Sequence, residues 1–303
     1  MLGRTPLLIA ALLAAMGTAA SAQPVDAARL KPETEAAWRQ YIRETEARRE
    51  REIAAGQRRA AAPPTQIEVV PMGASGSNTT TAATGDGRID VPSGLIHHWR
   101  GRVFIPGVTL DDVLRYVHTA PRQSDVLASK ILEDRGDTLR VYLKLTRTEI
   151  ITVTYNTEHL VELRRHGPGR ASSRSVATKI AELENANQSD EREKPAGDDL
   201  GLLWRLNAYW WYEEVPGGVL VECESLSLSR AIPLLLKPFA SGTVSRVARE
   251  SMTRTLDTMR TQLRASGLRR DPVRRQSQRQ SAPAPTPASR SGRDSRTAPS
   301  SRA

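Results

Sequence analysis

Hydrophobic and polar positions alternate most cleanly between Gly201 and Leu263. Trp204, Leu206, Ala208, Trp210 and Tyr212 share one phase, with Arg205, Asn207, Tyr209, Trp211 and Glu213 in the other, which predicts a strand. A Pro216-Gly217-Gly218 turn follows, and then Val219, Val221 and Cys223 alternate with Leu220, Glu222 and Glu224. The phase then inverts, because Leu226 and Leu228 take over the apolar role, so a one-residue bulge is expected near Glu224. Farther on, Val244, Val247, Ala248, Met252, Leu256, Met259 and Leu263 recur at steps of three and four, the stripe of an amphipathic helix bracketed by Pro238 and Gly267. Each such side chain contributes about 1.5–3 kcal/mol when buried, so the helix needs a broad partner, and a sheet is the candidate. Two long strands closed by one helix suit a curved sheet gripping that helix, with an apolar space between them.

The same alternation recurs upstream. Leu95, His97, Trp99, Gly101 and Val103 oppose Ile96, His98, Arg100 and Arg102 in a half-buried strand. Thr109 caps a short helix to Val117, with Asp111 and Asp112 at its positive end. Residues Val126–Asp134 read as a second short element. Leu139–Leu145, Ile151–Tyr155 and Ser172–Leu183 read as strands, and Glu184–Asp199 as a polar loop. Between Asp26 and Arg59, Trp38, Tyr41, Ile42 and Thr45 form a short apolar stripe on a long charged helix, with Pro32 near its start. Such a helix docks by its first half and projects beyond. From Ala60 to Gly94 the composition turns to Pro, Gly, Thr and Ser, a linker or exposed β-arm with one brief strand candidate at Ile67–Val70.

The two ends change the picture. Arg4, the apolar run Leu7–Met16 and Ala20-Ser21-Ala22 have the form of a cleaved secretory signal, too short for a bilayer-spanning anchor. Gln23 follows the expected cut, which argues against a lipid-anchored form. A periplasmic or secreted mature chain without a transmembrane segment is expected. From Arg269 to Ala303 there are nine Arg and two Asp among Ser, Pro, Ala, Gln and Thr, a local charge of +7 within the chain's +10. This tail is expected to be disordered. It is either a plain solvated appendage or a tether to an anionic envelope surface. Export and the lack of aromatic residues in the tail disfavour nucleic acid as a partner. The single cysteine, Cys223, cannot form an internal disulfide and reads as a buried small residue.

Candidate chemistry is sparse. His97 and His98 are adjacent, so on a strand they face opposite sides and cannot chelate together; one is expected beside Trp99 and the other at the surface. Glu213/Glu214 and Glu222/Glu224 suit an outward strand face, and no phosphate loop, nucleophile elbow or metal-ligand spacing occurs. Neither a catalytic residue nor a cofactor is expected. Trp99, Tyr155, Trp204, Trp210 and Tyr212 project from apolar phases, as ordinary core or as the lining of a cavity with His97 as a polar handle. Met252 and Met259 would form an adaptable opposite wall, and Leu143, Val153 and Val221 complete the candidate ligand-binding set. Leu234-Leu235-Leu236 is the candidate entrance, or a plain core plug.

The order of elements resembles the START-like (SRPBCC) superfamily. Residue-level likeness is closer to a group of exported acidobacterial-type proteins, through Leu30–Thr34, Gly94–Trp99, Gly201–Leu206, Tyr209-Trp210, Gly217–Val219, Glu222–Glu224 and Leu226–Arg230. The resemblance implies an α+β helix-grip fold: a curved antiparallel sheet wrapped around a long C-terminal helix, with an extra N-terminal helix. The organisation becomes signal 1–22, charged helix 23–60, linker or β-arm 61–94, START-like domain 95–266 and basic tail 267–303. The implied function is a non-enzymatic module holding a hydrophobic small molecule or lipid. The alternatives are a cyclase- or isomerase-type enzyme using His97 and Tyr155 in the same cavity, and a structural envelope protein whose cavity is collapsed.

Overall fold

The computed structural model describes residues 28–56, 62–72, 87–119, 125–148, 152–231 and 249–266. The expected signal, the stretch 74–86, the 234–236 entrance, the helix positions 244, 247 and 248, and the basic tail lie outside the described residues. Helix α1 (Pro32–Ala54) comes first, followed by strands β1 (Glu68–Pro71), β2 (Arg88–Val91) and β3 (Gly94–Pro106). Helix α2 (Leu110–Val117) leads to β4 (Val126–Asp134), β5 (Thr138–Thr148), β6 (Thr152–Arg165) and β7 (Arg170–Glu184). The short β8 (Arg192–Glu193), then β9 (Arg205–Val215) and β10 (Gly218–Arg230), complete the strands, and residues 249–266 are helical, here α3.

The strands lie in the order β1-β3-β10-β9-β7-β6-β5-β4, with β2 also on β3 and β8 on β7, and every pairing is antiparallel. This curved sheet, with a helix against each face, is a helix-grip architecture with an added N-terminal helix. On the inner face, Met252, Leu256, Met259 and Leu263 of α3 pack on Trp99, Val103, Tyr212, Val219, Val221 and Cys223. Gly101 makes the approach possible, since a Cβ there would lie 2.6 Å from Leu256 Cδ1 and 2.8 Å from Met252 Cγ. Thr109 and Asp112 close the expected cap of α2 reciprocally.

Several elements differ from their sequence reading. Residues 126–134, read only as a second short element, are an edge strand; β1 falls on the brief strand expected at 67–70, and β1 and β2 of the expected arm pair with β3. The expected bulge near Glu224 is absent: β10 pairs without a register shift with β3 from Gly218 to Arg230, and with β9 from Gly218 to Leu228. Bulges fall in β4 and between β6 and β7 instead. Leu226 and Leu228 keep the phase of Glu224 and face the outer side, where they form a second core with Ile89, Ile96, Trp204, Trp38 and Ile42. The apparent phase change marks a second buried face.

That second face is covered by α1 along most of its length, with Thr34, Trp38, Ile42, Thr45 and Arg49 buried, so the helix does not project into solvent beyond its first half. Glu213, Glu222 and Glu224 are buried, contrary to the outward placement expected of them, and His98 is 2% exposed rather than at the surface. Glu224 Oε2 accepts from Arg49 Nη1 at 2.6 Å, and Oε1 accepts from Arg48 and, at 2.7 Å, from His98 Nε2. Burial alone would raise the Glu224 carboxyl, but the imidazole hydrogen bond and the two guanidinium groups hold it well below the usual carboxylate range. An ionised Glu224 can only accept, so His98 donates from Nε2 and its Nδ1 accepts from the Tyr41 hydroxyl at 2.8 Å. Burial lowers the pKa of His98 and outweighs the opposing pull of Glu224. Tyr209 extends the cluster: its hydroxyl donates to Glu46 at 2.8 Å, and Arg49 lies 5.2 Å over its ring.

Candidate ligand cavity

A cavity of about 340 Å³ lies between the inner face of the sheet and α3. β5 and β6 supply one wall through Val141, Leu143, Leu145, Val153, Tyr155 and Val161. β9 contributes Leu206, Ala208, Trp210 and Tyr212, and β3 contributes His97 and Trp99. Tyr116 and Val117 of α2 and Leu202 and Leu203 line it further, while Ser251, Met252, Thr255 and Met259 of α3 form the facing wall. The arrangement follows from period-two alternation: inward residues of successive antiparallel strands stand in rows across the sheet. One row runs Trp99, Ser225, Ala208, Ser175 and Val161, and its neighbour starts with His97, Ser227 and Leu206.

The polar groups in this lining are few and placed. His97 Nε2 lies 2.9 Å from Ser229 Oγ. Ser173 and Tyr212 share a 3.0 Å hydrogen bond, and Tyr212 stacks on Trp210 with ring centroids 6.3 Å apart. His159 Nε2 is 3.0 Å from Thr157 Oγ1, and burial lowers its pKa to about 4, so the ring is neutral at neutral pH. Burial pushes Tyr116 up to about 12, and it raises Tyr212 and Cys223 as well, keeping all three protonated. Arg147 Nη1 donates to Asp125 Oδ2 and to Ser251 Oγ, both at 2.6 Å, tying β5 to α3. Among the described residues no group of three or more His, Cys, Asp or Glu side chains could hold a metal ion, and no helix is long and apolar enough to cross a membrane.

Of the residues singled out from sequence, His97, Trp99, Leu143, Val153, Tyr155, Trp210, Tyr212, Met252 and Met259 come together around the cavity. Trp204 and Val221 are not in its lining. Trp204 precedes β9 in a bend that starts at Gly201, with φ +70°, so the strand's alternation does not govern it. Its indole donates to Asp199 at 3.0 Å, and its ring packs in the outer core under α1. Val221 is fully buried in the inner core beside Tyr212. Sequence reasoning passed over Ser173, Ser175, Ser225, Ser227, His159 and Arg147. Arg147 was legible as the single charge in phase with Leu143 and Leu145, whereas no signal in the sequence marked the serines as lining.

No protein-family model and no curated protein matches the chain. Three solved structures illustrate what it is similar to. A STAR-related lipid transfer protein from Xanthomonas axonopodis is 18% identical, with a TM-score of 0.41, covering 61% of this chain and 98% of that one. The Zhui aromatase/cyclase from Streptomyces is 11% identical, with a TM-score of 0.37, covering 56% and 94%. Human STARD10 is 10% identical, with a TM-score of 0.35, covering 68% and 80%. These likenesses are distant.

Proposed function

We propose that the domain is a non-enzymatic carrier or sensor that holds a hydrophobic small molecule or lipid between its sheet and α3. The observation that carries this reading is the cavity of about 340 Å³ walled by Trp99, Trp210, Tyr155, Tyr212 and leucines, with Met252 and Met259 opposite. Apolar walls with a few placed polar groups are the usual form of a small-molecule site. The thioethers of the two methionines adapt to varied shapes and pack well against rings. Native mass spectrometry of protein purified from its own source, followed by organic extraction, tests the reading. A stoichiometric apolar passenger supports it. A protein that stays ligand-free, even after incubation with lipid extracts, counts against it.

Export and surface attachment belong to the same proposal. The apolar run before Ala20-Ser21-Ala22 supports a periplasmic or secreted module. The nine arginines after residue 268 support a tether to anionic lipid. An intact-mass measurement of the protein from its own envelope checks the first point, with Gln23 as the expected first residue.

A further inference from the structure

The polar groups around the cavity restrict what it can hold beyond the word hydrophobic. Among the described lining residues Arg147 is the only Lys or Arg, and none is Asp or Glu. Its guanidinium is already committed to Asp125, which is 6% exposed, at 2.6 Å. An anionic headgroup that took Arg147 would leave that buried carboxylate with only Ser251 Oγ at 3.0 Å and the more distant Arg254 at 3.9 Å, and a cationic one would find no counter-ion among the described lining residues. His159, neutral and bonded to Thr157, supplies no charge either. The lining therefore selects against ions of both signs.

The floor has hydrogen-bonding capacity left over. Among the described residues, the side chains of Ser225 and Ser227 form no hydrogen bond, yet both line the cavity. Inward positions two apart on a strand are roughly 7 Å from each other, and Ser175, two strands away in the row of Ser225, is roughly 10 Å off. Between them stands only Ala208, so the floor is low and even, with Trp99 at one end of the row and Val161 at the other. Met252 and Met259 face it from α3. A space of about 340 Å³ lies at the small end of ligand pockets and suits a compact ring system.

We propose that the cavity takes a neutral, flat, ring-containing molecule with hydroxyl or carbonyl oxygens, laid on this floor with its oxygens on Ser225 and Ser227. The proposal rests on the carrier reading above and narrows it to one ligand class. The hydroxyls donate to a carbonyl or accept from a hydroxyl, and the methionine sulfurs lie against the opposite ring face.

Calorimetric titration of the full chain with 2,6-dihydroxynaphthalene, naphthalene and palmitate tests it. The diol is expected to bind one to one and roughly tenfold more tightly than naphthalene, the gain of one or two neutral hydrogen bonds. The S225A/S227A double variant should lose that roughly tenfold preference and bind naphthalene as the wild type does. Should the variant fold poorly in a thermal melt, the diol-to-naphthalene ratio of the wild type decides alone. Naphthalene or palmitate binding as tightly as the diol overturns the ligand class and leaves the carrier reading standing. Failure of all three probes to bind overturns the carrier reading, and the proposal with it.

Discussion

Removing the carboxylate of Glu224 is expected to loosen α1 from the sheet. Glu224 has no solvent exposure and carries hydrogen bonds from Arg48, Arg49 and His98, two of them from helix residues far away in sequence. Glu224→Ala leaves Arg49, 5% exposed, without the carboxylate that compensates its charge and beside Arg48, which loses the same carboxylate. Stranding one member of a buried pair costs about 3–5 kcal/mol, and for a domain of this size that lowers Tm by roughly 6–20 °C. Glu224→Gln keeps the shape and loses the charge, so it separates electrostatics from packing. The pH dependence follows from the lowered folded pKa of Glu224. The unfolded chain takes up the proton first, so this contribution is complete above the ordinary carboxylate pKa and is lost as pH falls toward the folded value. The assay is thermal and urea unfolding of wild type, Glu224→Ala and Glu224→Gln at pH 7 and at pH 4, with an Arg49→Met background to close a double-mutant cycle. A loss below about 1 kcal/mol in Glu224→Ala, with no coupling to Arg49, would show that the ion cluster does not hold the helix.

Other outcomes follow from the same contacts. Gly101→Ala places a Cβ against Leu256 and Met252, so it should cost about 1–3 kcal/mol by overpacking and weaken any cavity ligand; urea melts and probe titration check both. His159 has its folded pKa lowered by burial from 6.5 to about 4, so the unfolded state binds its proton first. Its contribution is full above pH 6.5 and falls by about 3 kcal/mol as pH drops toward 4, a slope that His159→Gln should reduce in unfolding curves. Burial of His98 acts in the same direction, so part of the acid slope remains in that variant. Truncation after residue 268 should abolish co-sedimentation with phosphatidylglycerol vesicles at low salt without moving Tm, and retained binding would remove the tether.

The β9–β10 hairpin and the face of α3 were legible because each alternation has one buried phase set against a polar one. The reading failed where that assumption failed. Leu226 and Leu228 looked like a slipped register because a strand with cores on both sides shows apolar residues in both phases. Glu224 and His98 looked like surface groups because their partners, Arg48, Arg49 and Tyr41, sit on a helix more than fifty residues away in sequence, and nothing in β10 itself announces them. Trp204 was counted into a strand that starts one residue later. Aromatic and aliphatic lining residues of the cavity followed from phase, whereas its serines did not, since Ser on an inward phase reads as a poor core residue until the empty space above it is seen.

The most direct measurement of the central claim is binding of the neutral, environment-sensitive dye N-phenyl-1-naphthylamine by the wild type and by Ala208→Trp. Ala208 lies in the middle of the cavity floor between Ser225 and Ser175, so an indole there fills the space without touching α1. Saturable one-to-one dye binding by the wild type is expected, with its loss in Ala208→Trp and an unchanged circular dichroism spectrum. Equal binding by the two proteins, or none by the wild type, would contradict a ligand held between sheet and helix.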